Sequence, residues 1–270
     1  MTPYETEIAQ WRADRLAALT AEDGWLDLTD RIDIAPGRMT VGTAADNDVA
    51  ISVGPGHLGV LTLQPDGRAR FDAGAGAREF ASVPDNPPRL KVGDLLLEVM
   101  EVGGQHALRV RDTASPARTA FSGIDSFPVD PAWRIEADWQ ALDQAQPLGI
   151  DLVTGAATSV QLTHQAHFTH EGARVTLLPT HWKSGKPMFV IRDRTSGRET
   201  YGASRFLIGE VVGDRVVLDF NKAFNPPCAF TDLAVCPLPP PQNVMAFAIR
   251  AGERKPHVPE PGARAFDPSG

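Results

Sequence analysis

Apolar and polar residues alternate in short runs along most of the chain, and only its opening stretch breaks that rhythm. There Tyr4, Ile8, Trp11, Leu16 and Leu19 fall near helical spacing, with Glu5, Glu7, Arg12 and Asp14 between them. One helix is predicted, ending before Asp23-Gly24, where a glycine can take a positive φ that other residues resist. From Trp25 to Asp112 the runs become β-like: "MTVGT", "DVAIS", "GVLTL", "ARFDA", "LLLEVMEV" and "HALRVRD". Turn residues at Pro65-Asp66-Gly67 and Gly103-Gly104 separate them, and the pattern predicts a small β-sandwich.

After Asp112 the pattern shifts again. "TASPARTAFSGIDSFPVDPAWRIEADWQAL" holds Asp130 between Pro128 and Pro131, which predicts an extended connector. Phe121, Phe127, Trp133 and Trp139 are too apolar for a loose tether, so this connector is expected to pack across both halves. Beyond it, "QAHFTHEGARVTLLPT" reads as a hairpin around Glu171-Gly172, "PMFVIRDRTSGRETYG" as one around Thr195-Ser196-Gly197, and "FLIGEVVGDRVVLDF" as one around Gly213-Asp214. Consecutive antiparallel hairpins imply a barrel or a strongly bent sheet. The expected fold is mainly β: an N-terminal helix and small sandwich over residues 1–112, then a barrel-like antiparallel domain over 113–270. Pro256, Pro259, Pro261 and Pro268 predict a disordered or surface-draped tail from Lys255 to Gly270.

Composition narrows the function classes. With 270 residues, 42% of them hydrophobic, the chain can bury one or two cores. A formal charge of -8 argues against a nucleic-acid backbone or an anionic membrane as partner. The opening residues carry charges throughout and no apolar run of signal-peptide length, and nowhere do ~18 apolar residues follow one another, so a cytoplasmic protein is expected. There the two cysteines, Cys228 and Cys236, are expected as thiols.

Two resemblances follow from motifs. "VGTAADNDVAI" and "GHLGVL" resemble the strand and turn pattern of forkhead-associated domains, which bind phosphothreonine. That family's phosphate-contacting arginine after the glycine is Thr43 here, and Pro55-Gly56 precede His57 where a Ser-Arg pair would stand. Thr43 cannot supply a guanidinium fork, so the resemblance implies a β module without phosphopeptide recognition. "FVIRDRTSGRETYGASRFL", "LDFNKAFNPPCAFTDLAVCPLPPPQN" and "AIRAGE" resemble the bacterial and fungal proteins of domain-of-unknown-function family 1684, from about Phe121 to Glu253. The resemblance marks Asp193, Thr195, Gly197, Thr200, Tyr201, Arg205, Asp219, Phe220, Asn221, Asn225, Pro226, Pro227, Cys228, Cys236, Pro237 and Asn243. It departs at Ala203-Ser204, where the family has a glycine before the arginine; if that glycine allows close approach of a ligand, Ser204 narrows the site. The family name carries no activity and implies no cofactor.

The marked residues offer a candidate site. Asp193 and Asp219 lie at strand ends, and Arg205 begins a strand after Tyr201. Convergence at one barrel end would make a polar pocket in which Arg205 binds a small polar or anionic molecule, oriented by Asp193 and Asp219, with Thr200, Tyr201, Asn221 and Asn225 around it. The bland alternative is a buried ion pair with turn caps; another is an enzyme using Asp193, Tyr201, Arg205, Asp219 or Cys228, and another a protein-interaction scaffold. Pro226, Pro227, Pro237, Pro239, Pro240 and Pro241 cannot donate to a ladder, so their segment leaves the sheet as a rigid plug. In it Asn221, Asn225 and Asn243 have amides suited to backbone groups left without regular partners. No histidine in that loop could activate a cysteine, and two cysteines fall short of a zinc site. In "THQAHFTH", strand spacing puts His164 and His170 on one face and His167 on the other, so no metal site forms from that segment alone.

Overall fold

The computed structural model describes residues 1–74, 76–81, 87–102 and 104–257. Gly103 of the predicted turn and residues 258–270 of the expected tail lie outside them. The chain divides into two compact units: Ala17–Ala120, and Met1–Leu16 together with Phe121–Gly270. Helix α1 (Pro3–Leu19) begins with Pro3 in its first turn, where no backbone N–H is needed. Its stop differs from the expectation. Gly24 takes φ -73, so positive φ is not its role; a Cβ there would lie 2.6 Å from the Leu19 carbonyl oxygen, and glycine is needed for that close approach.

The first unit is a β-sandwich. It contains β1 (Leu28–Ile34), β2 (Gly37–Gly42), β3 (Val49–Ala50), β4 (Gly59–Leu63), β5 (Arg68–Asp72), β6 (Ala77–Ala81), β7 (Leu90–Val92), β8 (Leu95–Val102) and β9 (Gln105–Asp112), followed by the short helix α2 (Pro116–Ala120). One sheet runs β1-β9-β8-β7 and the other β3-β2-β4-β5-β6. Their inner residues, among them Val41, Leu61, Phe71, Leu97 and Leu108, form one core. Glu98 of β8 is buried against Arg111 at 2.8 Å and Arg109 at 3.1 Å, and Trp25 covers both guanidinium groups. Burial pulls Glu98 toward its protonated form, but the two arginines outweigh it and hold the carboxyl below its ordinary range.

The second unit contains β10 (Arg134–Asp151), β11 (Ala157–His170), β12 (Ala173–Leu177), β13 (His181–Lys183), β14 (Lys186–Ile191), β15 (Arg205–Ile208), β16 (Glu210–Val212) and β17 (Arg215–Asp219). They form an antiparallel sheet β12-β11-β10-β17-β16 and a second sheet β13-β14-β15. The hairpins at Glu171-Gly172 and Gly213-Asp214 are present, with φ of 50°, 79° and 62° at Glu171, Gly172 and Gly213. The predicted hairpin around Thr195-Ser196-Gly197 has a longer connection than expected: β14 and β15 pair antiparallel, and the turn lies within residues 192–204 between them. Residues 134–150, expected as a connector, are strand β10, which pairs with β11 and β17.

The mainly β architecture with an N-terminal helix is as the pattern predicts, but the two sheets do not close into a barrel. They bury their apolar faces against each other: Ala137, Ala166, Phe168 and Leu218 of one meet Phe189, Ile191 and Leu207 of the other in one core. That burial removes the drive to curl each sheet onto itself. Met1–Leu16, predicted to lead the first module, belongs to this second unit. Trp11 lies 6.4 Å from the Phe224 ring, and the Arg15 guanidinium stacks 4.9 Å from it.

Candidate functional site

The proline-rich segment leaves the sheet, as its missing donors require, and stitches the second unit together. Phe224 bridges to Phe206, Pro237 to Leu152 and Val244 to Arg192. Where prolines leave gaps, asparagines stand in for a strand. Asn243 accepts from the Leu178 N–H at 2.8 Å and donates to the Leu178 carbonyl at 2.8 Å and the Val190 carbonyl at 2.9 Å. Asn221 accepts from the Asp130 N–H at 3.0 Å and donates to the Asp130 carbonyl at 2.8 Å. Each amide thus reproduces both hydrogen bonds of a ladder partner. Asn225 donates to the Arg254 carbonyl at 2.8 Å.

The predicted site residues do not form one pocket. Asp193 and Arg205 do meet, at 2.8 Å and almost wholly buried. Asp193 Oδ1 accepts from the Thr195 N–H, the Thr195 hydroxyl and the Ile249 N–H. Thr200 closes the turn through its hydroxyl, 2.9 Å from that of Thr195. The remaining donors on the two terminal nitrogens of Arg205 go to the carbonyls of Ile249 at 3.0 Å, Ala251 at 2.5 Å and Glu253 at 3.3 Å. Burial lowers the guanidinium pKa and Asp193 opposes the shift. Both terminal nitrogens are thus bound to the protein's own groups, so Arg205 holds no open fork for a guest, contrary to the expected anchoring role. Ser204 is buried beside it, its hydroxyl without a hydrogen-bond partner among the described residues.

The other residues join separate clusters. Tyr201 donates to the Cys228 carbonyl at 2.9 Å, and burial raises its phenol pKa. The buried Glu253 carboxylate accepts from both sides: the Asn225 N–H donates to Oε2 at 2.6 Å and Arg15 donates to Oε1 at 3.0 Å. His164 stacks on Trp139 and His170 on Trp133, whereas His167, on the opposite face, bonds the Thr176 hydroxyl at 2.9 Å. Among the described residues no group of three or more His, Cys, Asp or Glu is placed to hold a metal, and no helix is long and apolar enough to cross a membrane.

Asp219 differs from Asp193. It ends β17, and its Oδ1 is the acceptor for the Tyr4 hydroxyl at 2.8 Å and the Asn221 N–H at 3.1 Å. Burial raises the Tyr4 phenol pKa and the bond to Asp219 adds to the shift. The second oxygen, Oδ2, is buried with no hydrogen-bond donor among the described residues; Lys222 Nζ stands 3.9 Å away and is itself held by Glu7 at 2.5 Å. This carboxylate borders a recess of 260 Å³ between α1 and the sheet. Arg134, Lys186, Lys222, Glu7 and Glu210 line its polar side, and Trp11, Ile208, Val217 and Phe224 its apolar side. Sequence reasoning named Asp219 and Asn221 but missed Tyr4, Glu7 and Trp11, whose helix was assigned elsewhere. The one available signal was the aromatic pair Tyr4 and Trp11 on the apolar face of the predicted helix.

A family model described as "Protein of unknown function (DUF1684)" matches residues 119–254, just over half of the chain. Among solved structures, the solution structure of an uncharacterised protein of Haloarcula marismortui is 31% identical, with the alignment covering 51% of this chain and 78% of that one at a TM-score of 0.42. No curated protein matches the chain.

Proposed function

We propose that this protein, which belongs to the DUF1684 family, is a binding protein that holds a small polar molecule in the recess over Asp219. The observation that carries the reading is the buried Asp219 Oδ2, which lacks a donor while Oδ1 is fully engaged. A buried acceptor left unpaired costs roughly 1 to 3 kcal/mol, which a ligand hydroxyl or ammonium would recover. Around it, Arg134, Lys186 and Lys222 offer positive charge for a carboxylate, phosphate or carbonyl group, and Trp11 and Phe224 offer an apolar wall. The recess volume of 260 Å³ restricts the guest to a small metabolite. A molecule bearing a hydroxyl or amine near an anionic group fits this arrangement.

The test is a thermal-shift screen of hydroxy acids, amino acids, polyols and sugar phosphates, with any hit measured by calorimetry on the wild type and on Asp219→Asn. The variant keeps an oxygen for Tyr4 and the Asn221 N–H, so the fold is expected to survive. A hit whose affinity drops at least tenfold in Asp219→Asn supports the recess. Hits unaffected by the substitution, or no hit across the panel together with no small molecule released on denaturing the purified protein, overturn it.

A further inference from the structure

The function proposed for the recess leaves the two cysteines unused; neither lines it. Both are buried thiols in the proline-rich segment, Cys228 within the 3-10 turn Pro227–Ala229 and Cys236 just before Pro237. The Cys228 N–H donates to Cys236 Sγ at 3.3 Å, so the second sulfur rests against the backbone of the first. The scaffold holds them there. The Cys236 carbonyl accepts from the Val153 N–H at 2.9 Å, and Leu238 N–H donates to the Asp151 carbonyl at 2.7 Å, pinning one end on the β10–β11 hairpin. At the other end the 3-10 turn is fixed by bonds from Ala229 and Phe230 to the Pro226 and Pro227 carbonyls, and by Tyr201 on the Cys228 carbonyl. Prolines on both sides stiffen the intervening loop.

We propose that Cys228 and Cys236 are a redox-active dithiol, oxidised by a small-molecule disulfide to an intramolecular disulfide across this loop. Cys228 is the attacking thiol, being 8% exposed against 2% for Cys236. A hydrogen bond from the Cys236 side chain holds the Cys228 thiol below its ordinary pKa, against the opposing effect of burial. That raises the fraction present as thiolate, the nucleophile in disulfide exchange. The Cys228 thiolate attacks one sulfur of the external disulfide, forming a mixed disulfide and expelling one thiolate. Cys236, deprotonated, then attacks the Cys228 sulfur and expels the second. Two protein thiols are oxidised, the external disulfide is reduced to two thiols, and the two protons end on the departing sulfurs. Because the scaffold already holds Cys236 Sγ against the Cys228 backbone, the second step is intramolecular and fast, and no mixed disulfide accumulates.

The full chain is incubated natively in mixtures of reduced and oxidised glutathione, quenched with acid, alkylated and weighed whole and as peptides. The expected result is the joint loss of both alkylatable thiols, with no glutathione retained and full recovery on reduction. The Cys236→Ser variant is expected to trap glutathione on Cys228. Should that variant fail to fold, the wild-type masses decide alone. Two outcomes overturn the proposal: both thiols still alkylatable after native incubation at the fully oxidised end, under conditions that oxidise the denatured chain; or a stable glutathione adduct or disulfide-linked dimer in place of the internal bond.

Discussion

Arg205→Lys tests whether the Asp193–Arg205 pair serves the fold. The guanidinium spans Asp193 and three alternate carbonyls, those of Ile249, Ala251 and Glu253, at distances between 2.5 and 3.3 Å. Lysine keeps the charge but offers one nitrogen on an unbranched stem, so it can hold Asp193 or part of the carbonyl row but not both. At least one or two buried carbonyls then lose their donor, each at roughly 1 to 3 kcal/mol, for a total of about 3 kcal/mol. Arg205→Met removes the charge as well and strands Asp193, which costs about 3 to 5 kcal/mol. Urea denaturation followed by tryptophan fluorescence reads the right unit, because Trp11, Trp133, Trp139 and Trp182, four of the five tryptophans, belong to the second one. Both variants should unfold at lower urea with an unchanged slope, Met at least as early as Lys. A lysine variant within about 0.5 kcal/mol of the wild type, the range of ordinary surface substitutions, would refute the argument.

Four further outcomes are expected. Glu98→Gln leaves Arg109 and Arg111 facing each other without a buried counter-charge, and should destabilise the first unit by about 3 to 5 kcal/mol, read from Trp25 fluorescence in a residue 17–120 context within the full chain after replacing the other tryptophans. Asn243→Ala unpairs the Leu178 N–H and the Leu178 and Val190 carbonyls, a loss of at least about 3 kcal/mol in urea denaturation. Burial, helped by Arg174, lowers the His167 pKa in the folded state, so the unfolded chain binds the extra proton first; stability should be level above pH ~6.5 and fall as pH drops below it, and His167→Gln should flatten that fall in midpoints measured across pH. Titration of phosphothreonine peptides should show no phosphate-dependent binding, since Thr43 offers the Gly54 carbonyl a hydroxyl at 3.4 Å where a guanidinium fork would be needed; micromolar binding lost on dephosphorylation would contradict this.

The fold was legible where burial is one-sided. Strands such as β5, with burial alternating along Arg68–Asp72, carry the period-two signal that reveals a strand. Strand β10 does not: residues 140–148 are exposed or half-buried on both faces, so Gln140, Asp143, Gln144 and Gln146 read as connector although Gln140 and Gln146 pair with β11 on either side of an irregularity in register. The barrel was over-read for a related reason. Hairpin order gives the sequence of antiparallel neighbours but says nothing of whether an apolar face meets its own sheet's far edge or a second sheet. Here the second sheet, β13-β14-β15, supplies Phe189, Ile191 and Leu207, and closure brings no further burial. The first helix was assigned by proximity in sequence, yet its Tyr4, Trp11 and Arg15 find their partners in Asp219, Phe224 and Glu253.

The candidate site shows why motif residues alone do not separate structure from function. Asp193 and Asp219 are the same residue type at the same kind of position, a strand end followed by a turn that each caps. What distinguishes them is the supply of donors. Asp193 receives the Thr195 N–H and hydroxyl within its own turn, then Ile249 and Arg205 from distant segments, and both oxygens are spent. Asp219 receives the Asn221 N–H locally and Tyr4 from the far end of the chain, both on one oxygen. The other oxygen is buried, and the nearby Lys222 at 3.9 Å is too far for a hydrogen bond. A buried carboxylate whose fold leaves one acceptor unfilled beside a recess has an unmet requirement that a guest's donor would satisfy, and only the placement of remote residues such as Ile249 and Tyr4 reveals which of the two aspartates that is.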